Sequence, residues 1–533
     1  MTAVDELQWE KPGPGGWRHD AAHSAGPTSQ ILQDLFPTAM ADGFRSFTGR
    51  YGILLSHLEI RYVHGYAYGS PRIAGVRPGD GPPPPAGLLK VLSRLHPEMR
   101  RRDRRARAAL AGRVWEADLL RWFDELRPAR VEAMLALQAV RPDELDDGAL
   151  AAHVETCAAA VADGLREHFS LVGASSVPVG LHVRREQERG RTAAEAIADL
   201  AGAAERSTGA ALPALRAVHE ALLAAGAPAP ATLDDVRAAS PAAHQALEAF
   251  LAEYGQRVVG ANDVTGRRLI ELPDAILRSI TAAGTARARL PEPGGAVDVV
   301  LADARLAVAS RDDHSGICGS WPTGLLRRAL LEAADRLTAR GMPVGEEEIV
   351  ACSLSEVAAL LRGTAAAPSV DALAERAAER RRARAATPPP VLGVEHPPPD
   401  QAAFAVGLRT MAEAMAAFLG TLDAAADRRG VGVGAERHVG RAVVAVDADD
   451  AIARLQPGDV LVTAMTTPAF SCVLPIAGAL VTRHGGPMSH AGIVARELGI
   501  PAVVGLDDAF DRIRDGEAVE VDPVAGTVRS LAG

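Results

Sequence analysis

Through the first three quarters of the chain, apolar residues return at the spacing of a helix with one buried face. Leu120, Trp122 and Leu126 mark it, then Ile197 and Leu200, then Leu215, Val218 and Leu222. The same pattern predicts helices over 297–308, 325–340, 346–361, 369–386 and 401–428. From residue 440 onward the helical period gives way to short runs that predict strands at 440–446, 459–463, 479–482, 502–504, 518–521 and 527–529. Proline and glycine punctuate the chain: a loop-like arm over 9–28, a break at 79–85, another at 290–295, and proline clusters near 388 and 397 that read as extended linkers. The glycines of 430–434 read as a hinge. The expected organisation is multidomain, with a large mainly α-helical domain over 1–365, a Pro-rich linker and helix over 366–429, and a small C-terminal α/β domain over 430–533.

Composition narrows the class. A chain of 533 residues that is 48% apolar has material for two or three cores, and 4% aromatic content favours closely packed, alanine-rich helices. A formal net charge of −10 argues against non-specific binding to nucleic acid or to an anionic membrane. Four widely spaced cysteines, Cys157, Cys318, Cys352 and Cys472, offer neither a disulfide framework nor a zinc site. With an acidic, polar N-terminus, they point to a cytoplasmic protein, and no metal ligand set is expected. The apolar run 460–481 approaches membrane-spanning length, but Thr463, Thr466, Thr467, Pro468, Ser471 and Pro475 break it, so a strand, turn, strand unit is expected.

The densest candidate chemistry lies in Thr482-Arg483-His484-Gly485-Gly486-Pro487-Met488-Ser489-His490 and the residues after it. Ser489 is a good N-cap, Ile493, Val494 and Leu498 give a buried face, and Gly499 with Pro501 is a stop. His490 is therefore expected in the first turn of a helix, where free backbone N–H groups favour an anion and disfavour imidazole protonation. Gly485 and Gly486 would let a phosphate or another backbone approach closely. A lone histidine at a helix start is ordinarily a cap or a surface residue.

This string resembles the phosphohistidine signature of the mobile domain in phosphoenolpyruvate-utilising enzymes, a family that includes pyruvate phosphate dikinase, phosphoenolpyruvate synthase and the rifampicin phosphotransferases. Thr482, Gly485, Gly486, Ser489, His490, Arg496, Gly499, Pro501 and Gly505 fall on that pattern. The resemblance implies that the C-terminal domain swivels, that His490 carries the phosphoryl group, and that Thr482, Gly485, Gly486, Ser489 and Arg496 hold it. Arg496 could equally be an exposed helix residue in an ion pair.

Weaker stretches resemble the central, substrate-binding domain of rifampicin phosphotransferases: the arm with Trp17, Asp20, His23 and Pro27, and the polar cluster from Gln256 to Pro273 with Asn262. Four of the five tyrosines fall between Tyr51 and Tyr68, after a helical pattern that starts at residue 30. Tyr62 and Tyr66 belong either to an aromatic satellite core or to a pocket wall. In Ser310-Arg311-Asp312-Asp313-His314-Ser315, paired carboxylates beside an arginine and a histidine suit base catalysis and charge neutralisation, and equally suit a surface ion-pair cluster at a helix stop. Arg311 falls on a family arginine, but Ser315 stands where the relatives carry a lysine. That departure points away from rifamycin and leaves the proton-accepting role to Asp313 or His314. Trp321, just beyond, is a further substrate-binding candidate. The arginine-rich run 100–107 is either a solvated helix face or a dock for an acidic partner or a nucleotide.

No phosphate loop of the Gly-x-x-x-x-Gly-Lys-Ser type is found. The expectation is thus a phosphotransferase component that binds no cofactor tightly. A separate ATP-grasp partner would hold ATP and Mg2+ and phosphorylate His490, which passes the group to a hydroxyl of a small molecule, an antibiotic or biosynthetic intermediate. Phosphate elimination could follow. The competing reading is a non-catalytic phosphocarrier or regulatory module acting through protein partners.

Overall fold

The computed structural model describes residues 7–21, 26–200, 211–259, 262–285, 298–397, 399–422, 430–434, 436–446, 448–466, 470 and 474–531. A large, mainly α-helical body carries a C-terminal α/β unit. The principal body helices are α1 (Gln30–Tyr51), α2 (Ala86–Leu95), α3 (Pro97–Ala111), α4 (Asp147–Ser170), α5 (Val172–Glu188), α6 (Pro273–Thr285), α7 (Val299–Ser315), α8 (Trp321–Ala339), α9 (Val370–Arg384) and α10 (Val406–Leu422). α4 packs against α1 and α8, while α5 packs against α7 and α10. Small residues set these approaches: a Cβ on Gly180 of α5 would lie 1.9 Å from the Ala414 carbonyl oxygen of α10. Such close backbone contact explains why an alanine-rich, aromatic-poor sequence still builds a dense core.

Several sequence expectations change in the body. The arm read as loop contributes a strand, β1 (Trp17–His19), and the tyrosine-rich stretch is a hairpin of β2 (Leu55–Val63) and β3 (Tyr66–Ile73). Its two-residue turn, His64 at φ 51° and Gly65 at φ 80°, has the left-handed pair that matches strand twist. A small ladder pairs β4 (Val258–Val259) with β5 (Arg267–Arg268), and β6 (Val391–Leu392) completes a four-stranded sheet in the order β2-β3-β1-β6. The helix expected over 297–308 continues as α7 through Ser315. Arg311, Asp313 and His314 therefore project from a helix rather than from the segment after it.

The C-terminal unit is a seven-stranded sheet of β7 (Val431–Val433), β8 (His438–Ala445), β9 (Val460–Thr463), β10 (Ala479–Thr482), β11 (Ala502–Val504), β12 (Ala518–Asp522) and β13 (Thr527–Ser530), ordered β13-β12-β8-β9-β10-β11-β7. β8, β9, β10 and β11 run parallel. The run 460–481 forms two strands as expected, and no helix among the described residues is long and apolar enough to cross a membrane. The glycines of 430–434 correct the hinge expectation, because they carry β7, paired antiparallel with β11. A Cβ on Gly432 would meet the Pro523 carbonyl oxygen at 1.6 Å, so this glycine serves close packing. Residues 423–429, before it, lie outside the described residues.

Two apolar seams join this unit to the body. Met488 and Ile493 are buried in one cluster with Ala304, Ala307 and Val308 of α7 and Met411 and Phe418 of α10. Leu474 and Ile476 share another with Ile276, Ile280 and Ala283 of α6. Arg278 of α6 also donates to the Ile452 carbonyl oxygen.

Candidate functional site

His490 opens a nine-residue helix, α11 (His490–Leu498), that follows β10. Ser489 is its N-cap: the Ser489 hydroxyl accepts from Gly492 N at 3.4 Å and donates to the Gly486 carbonyl oxygen at 2.7 Å. Gly485 adopts φ +107°, and a Cβ there would sit 2.9 Å from Ser489 Cβ and Oγ, so the loop requires glycine. At the far end Gly499 takes the left-handed conformation at φ 67°. The local signals thus place His490 at the mouth of a short, well-capped helix at the C-terminal end of a parallel strand, where α/β sheets bind ligands.

The His490 imidazole is held by the Thr466 hydroxyl, with Nδ1 and Oγ1 3.1 Å apart. With the hydrogen on Nδ1 donated to Thr466, Nε2 keeps its lone pair. Burial, then the positive charge of Arg311, pulls the His490 pKa down to about 3. Both effects disfavour the cation, so the ring is neutral at pH 7. The expected result is that the His490 Cε1–H resonance stays in place between pH 8 and pH 5, whereas an imidazole in water moves with a midpoint near 6.5. An NMR titration checks this, and a midpoint above 6 would contradict the half-buried geometry beside Arg311.

Arg311 reaches this loop from the body. Its Nη1 donates to the Met488 carbonyl oxygen at 3.4 Å, and its guanidinium lies 4.9 Å from the Phe418 ring centroid. One turn on, His314 is buried and its Nδ1 lies 2.7 Å from His168 Nδ1, so one ring donates and the other accepts. Burial, His168 and Arg311, in that order, hold the His314 pKa well below the usual imidazole value. His314 Nε2 has no hydrogen-bond partner among the described residues. Arg311 thus stands electrostatically between His490 on one side and the His314–His168 pair on the other.

Asp313 is not part of this group. It is buried, accepts from Trp122 Nε1 at 3.2 Å, and pairs with Arg127 Nε at 3.1 Å. Successive helix positions differ by about 100°, so Asp313 and Arg311 project in opposed directions. In this pose its carboxylate ties α7 to the neighbouring helices.

On the C-terminal unit, Thr482 is buried at the end of β10 with its Oγ1 unpartnered among the described residues. Gly486 is engaged by the N-cap. Arg496 donates to the Pro487 carbonyl oxygen at 3.4 Å, which steadies the loop from behind.

The substrate-binding candidates do not gather around His490. Trp17 and Tyr66 are buried in a satellite cluster with Tyr68, Ala383 and Leu392; Trp17 Nε1 donates to Gly13 and the Tyr66 hydroxyl to the Ala383 carbonyl oxygen. Trp321 lies in the main body core, its Nε1 donating to Gln138. Tyr62 sits near Thr28, Asp20 and Asp263, and burial raises its pKa. Asn262 is exposed, while its neighbour Asp263 accepts from Ser29 N, Ser29 Oγ and Thr265 N and so anchors the start of α1. His23 lies outside the described residues. Thr466, Phe418 and His168 escaped sequence reasoning. Thr466 carried one usable signal, since it follows β9, the parallel neighbour of the strand that delivers His490.

Comparison with known proteins places these features. Residues 455–526 match the mobile domain of phosphoenolpyruvate-utilising enzymes, and residues 193–305 match the rifampicin phosphotransferase fourth domain. Phosphoenolpyruvate synthase of Aeropyrum pernix is 49% identical over 89 residues, covering 17% of this chain and 11% of the relative. An uncharacterised protein of Mycobacterium tuberculosis is 31% identical over 306 residues, covering 56% of this chain and 32% of its own length. Rifampicin phosphotransferase of Streptomyces sviceus is 29% identical over 320 residues, covering 54% of this chain and 35% of that protein. The chain spans about a third or less of the length of these relatives. A solved structure of Enzyme I overlaps with a TM-score of 0.16 at 15% identity, covering 63% of this chain and 78% of that one, too slight a likeness to bear on the fold. The resemblance seen around His490 thus extends to a mobile domain and to part of the helical body.

Proposed function

We propose that this chain is the carrier and acceptor-binding component of a phosphotransferase with a phosphohistidine intermediate. The observation that supports it most is His490 at the start of its capped helix, with Arg311, an arginine supplied by the other structural unit, reaching the same loop. In the first step His490 Nε2 attacks a phosphorus of ATP held by a separate ATP-grasp protein with Mg2+, and the P–O bond to the nucleotide breaks. In the second, the hydroxyl oxygen of a small-molecule acceptor attacks that phosphorus. The P–N bond breaks, its electron pair returns to Nε2, and the hydroxyl proton passes to the His314–His168 pair. Arg311 neutralises charge on the phosphoryl oxygens as it moves. The phosphorylated product can then lose phosphate where its chemistry allows elimination. A cytoplasmic setting, where ATP is supplied, goes with this reading.

A second reading, a phosphocarrier or regulatory module without turnover, draws on the seam itself. Met488 and Ile493 are packed into the body core, so an acceptor can enter only after the unit lifts. The test incubates the purified chain with labelled ATP, Mg2+ and candidate ATP-grasp proteins, then maps the label by mass spectrometry. Acid-labile, alkali-stable label on His490 that is lost to a small molecule supports transfer. Label that stays on His490 with every hydroxyl compound offered favours the carrier. No label with any donor overturns both.

A further inference from the structure

The strongest feature outside the His490 region is a cavity of about 280 Å3 between α2, α3 and the start of α10. Four arginines line it, Arg94 from α2 and Arg100, Arg104 and Arg107 from α3, against a single carboxylate, Asp103. The structure sorts the arginines of this run into two kinds. Arg101 and Arg102 pair with Glu98, Arg105 donates to the Gly49 carbonyl oxygen, and Arg107 pairs with Asp103. Arg100 and Arg104 are exposed, and neither guanidinium makes an ion pair or hydrogen bond among the described residues. Asp103 is already committed: besides Arg107 it accepts from Gly407 N at 2.9 Å and Leu408 N at 3.3 Å, capping α10. The helix end is therefore satisfied, and the arginines alone make the site.

We propose that this cavity binds an oligophosphate anion, a pyrophosphate unit either free or within a nucleotide. Arg100 and Arg104 lie one turn apart on the same face, with Arg107 on the next turn and Arg94 opposite. That spacing presents guanidinium forks to adjacent phosphate groups, the geometry in which arginine binds phosphate bidentately. With Arg107 paired to Asp103, the charges of Arg94, Arg100 and Arg104 are left to repel one another in one cavity, and a multivalent anion relieves this. The chain as a whole carries a net charge of −10, so the concentration is local rather than a general basic character. The volume suits a small anion, whereas an acidic protein segment calls for a longer surface. The site is distinct from the transfer site: eleven residues of α10 separate Gly407 from Phe418, about 16 Å along the helix. It also stands independently of the reading given to His490.

The experiment titrates the full-length chain calorimetrically with pyrophosphate, Mg2+-free ATP, inorganic phosphate and hexaglutamate at physiological salt. Pyrophosphate and ATP are expected to bind, with inorganic phosphate weaker. The Arg100→Ala/Arg104→Ala variant should lose at least tenfold in affinity for both. Arg381→Ala/Arg382→Ala, which removes an exposed arginine pair on α9, should stay within twofold of wild type. Tighter binding of ATP than of pyrophosphate assigns the site to a nucleotide, and equal binding assigns it to the phosphates alone; either supports it. The single variants Arg100→Gln and Arg104→Gln, each several-fold weaker with an unchanged unfolding midpoint, guard against a folding defect. The proposal is overturned if neither pyrophosphate nor ATP binds at millimolar concentration, if affinity survives the double variant, or if only hexaglutamate binds with arginine dependence.

Discussion

Replacing His490 by alanine is expected to abolish phosphoryl transfer to the acceptor, by about 10^4-fold or more, while leaving the fold in place. The magnitude follows from the role: a covalent nucleophile has no partial substitute, and its loss removes the intermediate rather than slowing one step. Thr466, the side chain hydrogen-bonded to the ring, is an unactivated hydroxyl and would not take over. The structural cost is small. The substitution forfeits the hydrogen bond to the buried Thr466 hydroxyl and some ring packing, about 1–3 kcal/mol, and leaves the Ser489 cap and the Gly485 turn untouched. Acceptor consumption and acid-labile phosphate content should both fall to background while the unfolding midpoint moves by only a few degrees. Residual label on another residue of His490→Ala would place the carrier elsewhere.

How much of this could be read from the chain depends on the range of the interactions. The turn, cap and stop around His490 were legible because Gly485, Ser489 and Gly499 act within a few residues of one another. The strands from β8 to β13 were legible because each is a short valine-rich run bounded by turn residues, with β9, β10 and β11 buried at every position. The β2–β3 hairpin was obscured where aromatic residues masked the alternation, and the left-handed His64–Gly65 pair was its overlooked signal. β7 was misread as a hinge because its one glycine, Gly432, answers to Pro523, some ninety residues away, rather than to local freedom. The groups around the imidazole were the least legible. His168 meets His314 across 146 positions and Arg311 meets Met488 across 177, and no local pattern encodes such pairs. Composition alone could not separate Arg311, which faces the loop, from Asp313, two positions on, which faces away.

Arg311→Gln is expected to separate the two half-reactions. Arg311 belongs to the body, where its guanidinium lies against the Phe418 ring, and it meets the His490 loop only while the C-terminal unit is seated there, through the Met488 carbonyl oxygen. Donor-side phosphorylation, which takes place away from the body, should proceed at a rate close to wild type. Transfer to the acceptor should slow by about 10^2- to 10^3-fold, the usual loss when one charge-stabilising donor is removed from a transfer site. Phosphohistidine should therefore accumulate in the variant. The substitution also removes a cation beside the imidazole, so the His490 pKa should rise, though burial, the larger cause, still holds it below the ordinary value. Arg311→Lys keeps the charge but loses the planar fork, and should recover part of the transfer rate. Single-turnover measurement of label entering and leaving His490 checks the split. Equal slowing of both half-reactions would mean that Arg311 supports the fold rather than the chemistry, and unchanged transfer would mean that the phosphoryl group meets its acceptor at another face of the body.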